Sequence, residues 1–230
     1  MTRPFEFSAW TKFQDQPVAH PGKIYDRADN EGVSACPVGG PAPYGRVLVR
    51  GPQSGIPGVP AFPLPAMSNV HADRYYTKID SCCLPDKAGT HLKIMDGTQT
   101  FAAAGLALPT DAAGNLLVLG IGMWTEHGMC GLPELKQPFG LGDYMYQDTW
   151  DGQVGIATHG RIWCYTETDI EINSPLFFRT SVTAPQLTNG LSLLGAFTTV
   201  DDATTEAFTV GKVFRPGKAG GAFVLQLTGL

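Results

Sequence analysis

With 230 residues, of which 43% are hydrophobic and 16% charged, the chain is long enough to bury a full β core, and its formal net charge of -5 offers no surplus of Lys and Arg for phosphate contacts. That balance excludes nucleic acid as a general partner, and no apolar run approaches the roughly 20 residues that a membrane-crossing helix needs. The 28 glycines and 18 prolines disfavour helix and predict turns, bulges and extended connections.

The chain opens with Met1-Thr2-Arg3-Pro4-Phe5-Glu6, where Glu6 interrupts the apolar run a secretory signal would require, so no export is expected. Phe5, Phe7, Trp10 and Phe13 crowd this start without a helical or strand period, and Pro17 and Pro21 stop any long helix. An extended arm is predicted. Its aromatic residues either lie across their own domain or contact a neighbouring subunit.

Between Val33 and Pro65, prolines from Pro37 onward break every possible helix, and Arg46-Val47-Leu48-Val49-Arg50, bounded by Gly45 and Gly51, reads as a strand. Gly51 to Met67 follows as a long connection. Residues 67–135 read as an insertion or small subdomain, within which Leu116 to Ile121 is expected to be a buried strand after the turn Asp111 to Asn115.

From Asp143 the pattern is regular. Asp143–Gln147, Gln153–Ala157, Arg161–Tyr165, Leu176–Arg179, Leu193–Thr199, Glu206–Val213 and Ala222–Leu227 are strand-length, and turn residues separate most of them. Gln153–Ala157 and Arg161–Tyr165 are predicted to form a β-hairpin through Thr158-His159-Gly160. In the last strand Phe223, Leu225 and Leu227 share one face, and Gln226 and Thr228 the other. The expected fold is therefore all-β, an antiparallel sandwich or barrel with a long Gly/Pro-rich extended N-terminal region. Residues 1–66 form that region and lend strands to the main domain, and 136–230 form the core.

The residues that usually carry chemistry are scattered. Neither a phosphate-cradling Gly-x-x-x-x-Gly-Lys-Ser/Thr loop nor a Gly-x-Ser-x-Gly elbow occurs, and Ser34, Ser54 and Ser81 lack any such frame. The five cysteines, Cys36, Cys82, Cys83, Cys130 and Cys164, form an odd and irregular set that fits a reducing compartment. Cys82 and Cys83 could take a soft metal with help from His71 or His91, but no Cys-x-x-Cys spacing supports a metal assignment. His20, His71, His91, His127 and His159 stand singly, and His127-Gly128-Met129-Cys130 lacks the orienting third group that Cys/His catalysis needs. Glu167, Asp169 and Glu171 recur at every second residue, which in a strand puts three carboxylates on one side. With Trp150, Trp163, Tyr144 and Tyr146 nearby in sequence, these could serve a glycosidase or sugar-binding cleft, or else form an ordinary solvated polar edge. The expectation is a protein without enzymatic activity, cofactor or metal.

An order of short segments then resembles the bacteriophage structural cement (capsid decoration) proteins. The segments are Pro21-Gly22-Lys23-Ile24-Tyr25-Asp26, Tyr44-Gly45-Arg46-Val47-Leu48-Val49, Gly142-Asp143-Tyr144-Met145-Tyr146, Gly155-Ile156-Ala157 with Gly160-Arg161-Ile162-Trp163-Cys164-Tyr165, Ser174-Pro175-Leu176-Phe177-Phe178-Arg179, Leu194-Gly195-Ala196-Phe197 and Val224-Leu225-Gln226-Leu227. Between about Met67 and Thr100 no such segment is found. The resemblance implies a virion protein, made in the host cytoplasm, that sits on the outer surface of the head and strengthens contacts between capsomers. The implied partner is the major capsid protein, and a homo-oligomer, by analogy a trimer, is expected. Phe5, Phe7, Trp10 and Phe13 become candidate capsid or subunit contacts. A carbohydrate-directed β domain and a phage tail or fibre component are the alternatives, although neither repeats nor a coiled-coil stalk are present.

Overall fold

A computed structural model describes residues 21–26, 30–37, 39, 42–52, 81–93, 99–123, 145–146, 154–182 and 193–229. The fold is all-β, and the described residues contain no helix. The strands are β1 (Glu31–Pro37), β2 (Ala42–Pro43), β3 (Val47–Arg50), β4 (Ser81–Cys83), β5 (Val118–Met123), β6 (Met145–Tyr146), β7 (Val154–Tyr165), β8 (Phe177–Arg179), β9 (Phe197–Thr198), β10 (Thr205–Ala207), β11 (Gly211–Arg215) and β12 (Ala222–Thr228).

The main sheet runs β1-β4-β3-β5-β7-β12-β11, and a further ladder joins β1 to β7. Because β1 pairs with both β4 and β7, the first five strands close on themselves as a small barrel, which removes the exposed edges of an open sheet. The β1–β4 ladder is parallel; the other ladders of this sheet are antiparallel. The stretch 67–135, expected as an insertion or subdomain, supplies β4 and β5 to the barrel wall. The physical reason is burial: Cys82 and Ile121 are fully enclosed, and their strands need β3 and β7 to satisfy their backbone groups.

Strand β7 organises the whole. Its first half lies between β5 and β1, and its second half pairs with β12 through seven registered residue pairs from Thr228–His159 to Ala222–Tyr165. The predicted hairpin at Thr158-His159-Gly160 is therefore corrected to one continuous strand. Two neighbours claim the supposed turn: His159 is opposite Glu31 of β1 and Thr228 of β12, and Gly160 is opposite Leu227. Pairing on both sides satisfies more backbone groups than a local turn can, and Gly160 absorbs the distortion with φ of 101°.

A second sheet, β10-β8-β9, packs on the first through aromatic edges. Phe197 lies edge-on to Phe208 at 5.0 Å and to Phe223 of β12 at 5.2 Å, and Phe178 meets Phe208 at 6.3 Å. Such edge-to-face pairs contribute about 0.5–1.5 kcal/mol each beyond the burial of the rings. As the alternation of β12 predicts, Phe223, Leu225 and Leu227 are buried while Gln226 and Thr228 face outward. Val224, on the outward face, is also buried, because the half-buried Trp163 is its cross-strand partner.

Candidate functional site

The segments that carry the cement-protein resemblance are far apart in sequence, yet several of them meet. The amide of Gly22 donates to Trp163 O at 2.7 Å, the amide of Trp163 to Lys23 O at 2.9 Å, and the amide of Tyr25 to Arg161 O at 2.8 Å. Residues 22–25 thereby continue along the second half of β7, where β1 no longer reaches. Next to them, the amide of Gly45 donates to Gly122 O at 2.7 Å, the amide of Tyr165 to Gly45 O at 2.9 Å, and the amide of Val47 to Gly195 O at 2.9 Å. Five segments from residues 22 to 195 are thus locked at one crossing.

Glycine is required at the centre of that crossing. Gly22 has φ of 85°, and a Cβ there would stand 2.5 Å from the Cβ of Tyr44. Gly45 has φ of 71°, and its Cβ would stand 2.7 Å from the amide nitrogen of Gly22. Neither the backbone twist nor the space admits another side chain.

Two buried arginines flank the crossing. Arg46 donates from Nη1 to Leu194 O at 3.3 Å and stands 5.1 Å from the centre of the Tyr165 ring, and its burial pulls the guanidinium pKa down while Tyr165 and Glu167 hold it up. Arg179, at the end of β8, makes a two-pronged ion pair with Glu167, 3.2 Å from Nε to Oε1 and 2.8 Å from Nη2 to Oε2. It also reaches Asp202 at 3.4 Å and the hydroxyl of Thr204. Glu167, chiefly through these hydrogen bonds, raises the pKa of Arg179 further. Nothing in the sequence around either arginine announced this arrangement. The available signal was two arginines at the ends of short apolar strands, where a buried charge needs a partner.

The three alternating carboxylates do not face one another across a cleft. They fall in the irregular stretch after β7, not in a strand. Glu167 is taken by Arg179, while Asp169 pairs with Lys218 at 2.8 Å and accepts from the amide of Ala219 at 2.9 Å. Glu171, largely exposed, lies 4.0 Å from the same lysine. Lys218 holds the Asp169 carboxyl below the usual range.

Cys82 and Cys83 are enclosed in β4, and burial pushes the thiols of Cys83 and Cys164 well up, so all three are held as packing thiols in this fold. His91 is turned to Val182 O at 3.1 Å, and its amide, with that of Leu92, donates to the fully buried carboxylate of Asp86. Among the described residues no group of three His, Cys, Asp or Glu side chains is placed to hold a metal ion. Phe5, Phe7, Trp10 and Phe13 lie outside the described residues, as do His20, His71, His127, Cys130, Tyr144 and Trp150.

No family model matches the chain, and no curated protein sequence matches it. Among solved structures, a chain from the capsid of Myoviridae phage XM1 matches with a TM-score of 0.47 and 11% identity, over 92% of each chain.

On its outer face the β7–β12–β11 sheet carries a layer of stacked rings and guanidinium groups that composition alone did not disclose. Tyr25 lies edge-on to Trp163 at 5.7 Å and to Phe214 at 5.6 Å. The guanidinium of Arg161 sits 3.9 Å over the Phe214 ring and pairs with Asp26 at 2.7 Å, and Arg215 stacks 5.7 Å over Tyr25. These are partly exposed contacts, in which a cation over a ring face contributes about 0.5–1 kcal/mol.

Proposed function

We propose that the protein is a structural component of a bacteriophage virion, a cement protein that binds the outside of the head and joins neighbouring capsomers through the major capsid protein. The observation that supports this reading is the crossing at Gly22, Gly45 and Gly195, where four of the segments that resemble the cement family meet. A motif series arising by chance has no reason to converge in space. The low charge content fits a protein whose surface is partly covered in an assembly, because interface centres deplete charge. A closed barrel is a stiff unit for bridging, and many copies add weak contacts by avidity. A trimer matches the local three-fold sites such proteins occupy, with the aromatic arm bearing Phe5, Phe7, Trp10 and Phe13 as the attachment strap.

The test is co-sedimentation of the purified chain with expanded phage heads that lack it, followed by heat or chelator challenge. Binding with raised resistance is the expected result, and failure to pellet with heads overturns the reading. Removing residues 1–16 is expected to weaken attachment more than folding.

A further inference from the structure

The two sides of the β7–β12–β11 sheet differ in charge. On the outer face the cross-strand partners form two rows: Lys212 is opposite Gln226 and Gln226 opposite Arg161, while Arg215 is opposite Val224 and Val224 opposite Trp163. Ile24 pairs with the buried Ile162, so its neighbours Lys23 and Tyr25 fall on the outer side. Lys23, Arg161, Lys212 and Arg215 thus share one face with the rings of Tyr25, Trp163 and Phe214. Among the described residues of these rows and of the segment 21–26, the one carboxylate is Asp26, which Arg161 takes. Four cations against one carboxylate leave three positive charges over, in a chain whose net charge is -5.

The other side ends in the opposite charge. Phe223 packs inward against Phe197, which places the small sheet on the inner side of β12. There Arg179 draws Glu167 and Asp202 together, and the hydroxyls of Thr168 and Thr199 stand 3.2 Å apart, so the stretch after β7 runs beside the loop from β9 to β10. These two segments carry Glu167, Asp169, Glu171, Asp201 and Asp202, and the cations that pair with them are Arg179 and Lys218, which leaves three negative charges over. The same segments carry Ile172 and Val200, two of the three large apolar side chains that stand exposed among the described residues.

We propose that the outer face of one copy docks the segments 167–172 and 199–202 of a second copy, so that the protein associates head to tail with itself. The cations of the face meet the surplus carboxylates, and Ile172 and Val200 cover the rings of Tyr25, Trp163 and Phe214. Within one molecule the main sheet stands between the two surfaces, so it takes another copy to bring them together. A contact between two different surfaces is heterologous: it closes into a ring where the rotation between copies allows, and otherwise runs on as a filament. The inference goes beyond the virion reading and does not rest on it, since both surfaces belong to this chain.

Sedimentation velocity of the full-length chain tests it. Association that grows with protein concentration is expected at about 0.01 M salt, where the Debye length is about 30 Å, and its dissociation constant is expected to rise about tenfold at about 1 M, where that length is about 3 Å. Lys212→Glu with Arg215→Glu reverses the outer face, and Glu171→Lys with Asp201→Lys reverses the other surface; all four side chains are exposed. Each variant by itself is expected to stay monomeric, because both its surfaces then bear the same sign. The two variants mixed in equal amounts are expected to associate, because opposite signs again face each other at every contact. A native chain that stays monomeric at every concentration and salt, native association that neither reversal weakens, or variants that stay apart on mixing would each overturn the proposal. No phage head enters this experiment, so its failure leaves the head-binding test standing.

Discussion

The barrel wall and the small β10-β8-β9 sheet stand side by side but are held by different forces. In the wall, Val47, Leu48, Val49, Ile121 and Ile156 are completely buried, and the backbones cross so closely at Gly22 and Gly45 that only hydrogen atoms fit between them. Around the small sheet a polar network is added to the aromatic packing of Phe178, Phe197 and Phe208. Arg179 gathers Glu167, Asp202 and Thr204, and Thr166 and Thr168 tie the chain after β7 to Phe197 O and the Thr199 hydroxyl. Apolar packing tolerates pH and salt but not altered shape. A polar network tolerates small changes of shape but not loss of a charge.

The largest effect is therefore expected in the wall. Gly45→Val places a branched side chain at positive φ and against the Gly22 amide, and is expected to cost about 4 kcal/mol or more, enough to unfold much of the protein. Denaturant unfolding followed by Trp fluorescence measures it, and a loss near the noise would show that the crossing can open without harm. Next comes Glu167→Ala, which leaves the Arg179 guanidinium, itself only 7% exposed, with Asp202 and Thr204 alone; about 2–3 kcal/mol is expected, between the values for surface and buried pairs. Hydrogen exchange sharpens the contrast, because residues 196–205 should lose protection before β7 does. If both regions open together, the two kinds of contact form one cooperative unit.

Acid gives the smallest effect. The Asp202 carboxyl is held low by the Thr204 hydroxyl first, then by the Thr204 amide and Arg179, Asp111 by the amide of Asn115, and Asp169 by Lys218. A carboxyl with a lower pKa in the folded state than in the unfolded chain adds stability that is present above the unfolded value, about 3.9, and lost as pH falls through the folded value. Stability should hold from neutral pH down to about 4 and decline below it, slightly, since these groups are solvent-exposed. A decline that begins near neutrality would point to a different titrating group.

Much of the strand pattern was legible in the residues. The alternation of β12 was read correctly because that strand buries mainly one face, and the bounded run of β3 because a short apolar run is buried on both. Val154, Ile156, Ile162 and Cys164 also keep one phase across Thr158-His159-Gly160, a sign of a single strand that the turn-like composition masked. Glu206–Val213 was read as one strand and is two, because the chain leaves the small sheet after Ala207 and joins β12 at Gly211. Leu193–Thr199 shortened to β9, since Gly195 at φ of 73° turns the chain there. The carboxylates at 167, 169 and 171 were legible as a group but not as partners, for their cations stand 12 to 49 residues away in sequence.

By itself the sequence determined that this protein is built of strands, because glycine, proline and period-two burial are properties of local backbone and side chain. Which strands close the barrel, which glycines let them cross, and which carboxylates meet Arg179 were decided by tertiary structure alone. Those features depend on groups brought together from distant positions, and no local pattern encodes a neighbour that far along the chain.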